Sequence, residues 1–180
     1  GNILGAALPM LVAQILSLLY NIVDRIYIAR IPSVGTTALG AVGLCFPIIV
    51  IITAFSNLFG SGGAPLFSIN RGKGNIKKAE AIMNTSFSML CICGVALMVI
   101  GMLFASSILM LFGASEEGLS YAYPYMMIYL IGTVPSMVAT GMNPFINAQG
   151  YATSGMLSVT IGAVANLILD PLFIFGLNLG

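Results

Sequence analysis

Long apolar runs separated by short polar breaks set the pattern of this chain. Crossing a bilayer as a helix takes roughly 20 apolar residues. Five runs reach that length: Ile3 to Ala29, Ala38 to Ile69, Ala79 to Phe112, Leu119 to Ala148 and Gly155 to Leu177. Each predicts a transmembrane helix. The second to fourth exceed a minimal span and are expected to tilt, kink or project past the bilayer. The breaks are short: 30–37, 70–78, 113–118 and 150–154. Short connections make successive helices antiparallel neighbours, so the expected fold class is an all-α membrane protein, an antiparallel bundle of about five transmembrane helices.

Composition supports that class. Of 180 residues, 59% are hydrophobic and 6% are charged, and the mean hydropathy is +1.06. Ordinary globular domains carry about 25% charged residues, so a water-soluble surface is excluded. The few basic residues cannot line a nucleic-acid groove. With no His in the chain, a Cys/His zinc site is excluded. Cys45, Cys91 and Cys93 lie in apolar runs and are expected to be small buried hydrophobes. No cofactor is implied, and no enzymatic chemistry. The chain opens on Gly1 without a basic leader and stops at Gly180, and is expected to be a piece of a longer protein.

Four of the six Lys and Arg residues (Arg71, Lys73, Lys77, Lys78) fall in the second connector, whereas the third holds two Glu and no cation. The positive-inside rule then puts the second and fourth connectors and the N-terminus in the cytoplasm. Asp24, near the end of the first helix, and Asp170, past the middle of the fifth, both come to lie toward the outside.

Those two carboxylates are the chemistry of the chain. A charge in hydrocarbon costs several kcal/mol, and only five acidic residues are present. Asn166 and Asp170 are four apart and share a helix face. Pro171 withholds an N–H from the carbonyl of Leu167. In the first helix a polar stripe runs from Gln14 through Ser17, Tyr20 and Asn21 to Asp24. Facing stripes would hold two carboxylates in a poorly hydrated space that favours one proton or one cation. The competing reading pairs Asp24 with Arg25 or Arg30 as an anchor at the helix end. Proline marks sites of bending: Pro47 and Pro65, Pro124, Pro135 and Pro144, and Pro171. The run Gly60-Ser-Gly-Gly-Ala-Pro65 predicts a break or soft point in the second helix.

Tyr20-Asn-Ile-Val-Asp-Arg-Ile-Tyr-Ile28, Ala38-Leu-Gly-Ala-Val-Gly-Leu-Cys-Phe-Pro47 and Asn166-Leu-Ile-Leu-Asp-Pro-Leu-Phe-Ile-Phe-Gly176 resemble the multidrug and toxic compound extrusion (MATE) family of cation-coupled exporters, in its bacterial branch with DinF-like and MepA-like members. The resemblance implies a twelve-helix transporter of two six-helix lobes. Residues 1–180 would form helices one to five of the N-terminal lobe, with the second lobe as a partner. It implies a multi-pass protein of the bacterial inner (plasma) membrane that exchanges a proton or sodium ion for a drug or organic cation. It assigns coupling to Asp24, Asn166 and Asp170, which would also be the sodium ligands. Gln14, Tyr20, Asn21 and Asn57 are the expected supporting or cavity-lining residues. Ala29 departs from the family, standing where Gly is usual. Two alternatives remain. A lipid-linked oligosaccharide flippase shares the architecture but favours a basic cavity, for which only Arg25 is available. A non-transporting membrane subunit would not respond to pH or sodium.

Overall fold

The computed structural model describes residues 2–30 and 35–172. Among them are six α-helices and no strand: α1 (Asn2–Ala29), α2 (Gly35–Gly72), α3 (Ile76–Leu111), α4 (Glu116–Ile131), α5 (Thr133–Ala148) and α6 (Ala152–Pro171). Stretches of α1, α2, α3 and α6 are each long and apolar enough to cross a membrane. α4 and α5 pass the same test together but are bent by 55°, so four of the five predicted runs are single helices and the fourth run is a bent pair. The first connector around Pro32 and the end of the fifth span after Leu172 lie outside the described residues.

The turns follow local chemistry. α2 and α3 are joined by three residues, Lys73 to Asn75. Gly74 adopts φ +75°, a region that only a residue without Cβ enters freely. Asn75 then caps α3, its Oδ1 accepting from the Lys78 N–H at 3.2 Å. Before α4, Gly113 has φ +92° and Ser115 Oγ accepts from the Gly118 N–H at 3.1 Å. Both caps satisfy donors that a helix start leaves unpaired.

Proline breaks a helix at one of the expected places, while Pro47, Pro65, Pro124 and Pro144 lie inside continuous helices. The break in the fourth span falls at Gly132, just before Pro135. The proline ring and its missing N–H prevent a continuous ladder, and Pro135 instead sits in the first turn of α5, where N–H groups have no intrahelical acceptor anyway. Pro124 and Pro144 lie inside α4 and α5. The break expected at Gly60–Pro65 is absent: α2 is helical through both Pro47 and Pro65. Those glycines serve packing. A Cβ on Gly60 would lie 2.5 Å from the Gly141 carbonyl oxygen, and one on Gly63 would lie 2.6 Å from Ser86 Oγ and 2.7 Å from the Phe145 ring. Close backbone approach at small residues is a standard way to join membrane helices.

The helices fall into two compact units, one of residues 1–40 and 150–180, the other of residues 41–149. In the first, α1 packs along α6. In the second, α3 packs along α4 and α5. Gly101 meets Leu130, Gly94 meets Val134 and Leu90 meets Gly141. Rising numbers on α3 meet falling numbers on α4 and α5, which makes the packing antiparallel, as predicted. Leu90, Leu109, Met126, Leu130 and Met137 are fully buried there with Cys45 and Ile52 of α2. A second cluster, Ala64, Phe67, Ala79 and Phe145, closes on an edge-to-face pair, Phe67 with Phe145, at 5.6 Å between centroids. Cys45 is buried as expected, while Cys91 and Cys93 are only half-buried; all three are free thiols.

Candidate ion site between the first and last helices

The side chains of Asp24 on α1 and Asp170 on α6 meet. Their carboxyl groups are within hydrogen-bonding reach of each other, and both are half-buried. Asp24 lies five residues before the end of α1, and Asp170 stands directly before Pro171 on α6. Arg25 is near enough to act on the Asp24 carboxyl electrostatically. The two readings of Asp24 are therefore not exclusive: it faces a carboxyl across the helix pair and feels a guanidinium alongside.

Two carboxylates cannot hydrogen-bond each other while both are ionised, because each is then an acceptor only. A proton or a cation between them would satisfy the contact. It forms inside a helix pair whose surroundings are apolar, where a charge without a counterion is costly.

The other expected site residues gather less closely. Asn166 lies one turn before Asp170 on α6 and is exposed. Asn21 is exposed too, and its Nδ2 donates to the Ser17 carbonyl oxygen at 2.7 Å, so this amide is turned onto its own helix. Tyr20 is half-buried and Gln14 exposed. Asn57 is an exposed residue of α2 within the second unit. Among the described residues no group of three or more His, Cys, Asp or Glu side chains gathers around one point.

One polar pair escaped the reading of the sequence. On α5, Asn147 Nδ2 donates to Asn143 Oδ1 at 3.1 Å. Asn147 Oδ1 is buried and accepts no hydrogen bond from the described residues. The signal was present as two Asn four apart in an apolar helix, on either side of Pro144.

The MatE family model matches residues 9–172 of the chain. A multidrug export protein MepA of Staphylococcus haemolyticus is 30% identical over 173 residues, covering 96% of this chain and 38% of the relative. A FAD transporter of Shewanella oneidensis is 29% identical over 176 residues, covering 98% of this chain and 38% of the relative. Among solved structures, an outward-facing multidrug resistance MATE family transporter of the MOP superfamily superposes with TM-score 0.89 at 26% identity, over 98% of this chain and 38% of that one. A MATE crystal structure in complex with MaD3S gives TM-score 0.93 at 26% identity, over 99% and 40%. The chain thus spans about two fifths of the length of the proteins it matches.

Proposed function

The chain belongs to the MatE family, and from that premise we propose that it is the N-terminal portion of a cation-coupled exporter of drug-like organic compounds. The observation that carries this reading is the carboxyl contact between Asp24 and Asp170. A pair that needs a proton or a cation to stay together can gate a helix contact. With the ion bound, α1 and α6 are held at this point. With it gone, two negative charges face each other in an apolar setting and the contact opens. Asn166, a turn away, supplies an amide oxygen, and Leu167 a carbonyl that Pro171 leaves without its helical donor. Together they offer a small cation neutral oxygen ligands beside the two carboxyls. Because the ion binds one arrangement of the helices better than the other, it shifts the balance between them, and by linkage cargo and cation affinities depend on each other. An oligosaccharide flippase would favour a strongly basic cavity, whereas the paired carboxyls have Arg25 beside them.

The test is gradient-driven efflux in the whole protein, normalised to membrane-inserted molecules. Asp24→Asn keeps size and hydrogen-bonding atoms but fixes the group as neutral. It is expected to insert and to bind drug, since a neutral side chain is easier to bury than a charged one. It is expected to lose efflux driven by a proton or sodium gradient. Near-normal efflux per molecule would remove Asp24 from coupling. Ethidium and FAD are measured side by side, because one relative is a multidrug export protein and the other a FAD transporter; the coupling assignment predicts the same loss for whichever is carried.

A further inference from the structure

The second unit holds a cavity of about 450 Å³ between α2 and α3 that ion coupling does not use. Its walls include Leu58 and Leu66 on α2 and Ile82 on α3. Its one charged lining residue is Lys78, in the first turn of α3. Thr85, seven residues on and so about 10 Å further along the helix, also lines it. The cavity therefore has a cationic end and an apolar body. Gly62 lies on its wall, and a Cβ added there would meet no atom within 4 Å. The missing side chain leaves a slot.

The charge around the cationic end is one-sided. Arg71, Lys73, Lys77 and Lys78 stand against a single acid, Glu80. Glu80 is two residues from Lys78 and so projects from another side of α3, while it shares a face with Lys77 at i+3. Lys78 is thus left to whatever occupies the cavity. A free anion gains nothing from the apolar body, and a neutral amphiphile gains nothing from Lys78. The combination fits an amphiphile with an anionic head. The positive-inside rule turns this end to the cytoplasmic leaflet, where anionic lipids are attracted to basic segments beside a membrane span.

We propose that the groove between α2 and α3 binds one anionic phospholipid of the cytoplasmic leaflet, with its phosphate at Lys78 and an acyl chain lying over Gly62. The whole protein, purified in mild detergent, is given equimolar phosphatidylglycerol and phosphatidylcholine, and the retained lipids are counted by native mass spectrometry. Wild type retains phosphatidylglycerol in preference. Lys78→Gln lowers that retention roughly five-fold. Gly62→Leu, which fills the slot, abolishes it. Ala81→Leu fills the same groove from an exposed position on α3 and serves if the glycine variant fails to fold. Millimolar inorganic phosphate leaves the lipid bound. Four results would each overturn the assignment: no retained lipid in wild type, equal retention of the two lipids, retention unchanged by both filling variants, or displacement by phosphate alone. Loss in the filling variants with none in Lys78→Gln would overturn the headgroup contact.

Discussion

Asp24 and Asp170 touch each other, and the consequence of that contact is non-additivity. If one ion serves both carboxyls, removing either group already destroys the site. The double variant Asp24→Asn with Asp170→Asn is then expected to transport no worse than the weaker single variant, because groups acting as a unit do not add. Efflux rates for the four proteins decide this, and a double variant whose defect is the product of the two single defects would mean separate sites. The meeting of the two residues was legible in the sequence because an intramembrane carboxylate is costly enough to demand a reason. The surrounding amides were not. Asn21 looked like part of a polar stripe, yet its Nδ2 donates to its own helix at Ser17. Spacing along a helix tells which residues share a face; it does not tell whether an amide turns outward or onto its own backbone.

At the scale of elements, hydropathy located the helices to within three residues wherever both ends are described. The misses are mostly at helix starts. α3 begins at Ile76 rather than Ala79, and α4 at Glu116 rather than Leu119. Their first turns carry Lys77 and Lys78, or Glu116, which an apolar window discards although the helix runs on past the apolar zone. The two glycines Gly60 and Gly62 were not distinguishable in sequence, because the partner that makes one indispensable lies 81 positions away at Gly141. They are expected to respond oppositely to the same change. Gly60→Ala drives a methyl group into the backbone of α5 and should cost about 1–3 kcal/mol, as overpacking does. Gly62→Ala meets no atom within 4 Å and should be neutral or stabilising by up to about 1 kcal/mol through helix propensity. Unfolding by SDS titration in mixed micelles measures both, and equal losses would refute the close approach of α2 to α5.

At the scale of the whole molecule, the charge distribution predicts a sidedness. With the Arg71 to Lys78 turn in the cytoplasm, Lys73→Cys is expected to be shielded from an impermeant thiol reagent added outside intact cells, and Ser115→Cys to react. Labelling of the first and protection of the second would reverse the orientation and remove the lipid leaflet assigned to the α2–α3 groove. That groove was not legible in sequence, since the gap depends on how α2 and α3 face each other. The hairpin around it also has an order in time. Lys73 to Asn75 is so short a turn that α2 and α3 can meet as soon as both have left the ribosome. Gly63, however, also packs on Phe145, which is translated 34 residues after α3 ends at Leu111. At roughly 5–20 residues per second that is a wait on the order of 2–7 s. Throughout that interval the nascent hairpin must hold its α5-facing seam against lipid and translocon alone, so the few packing atoms it owns at Ser86 decide whether the later half of the unit finds its place.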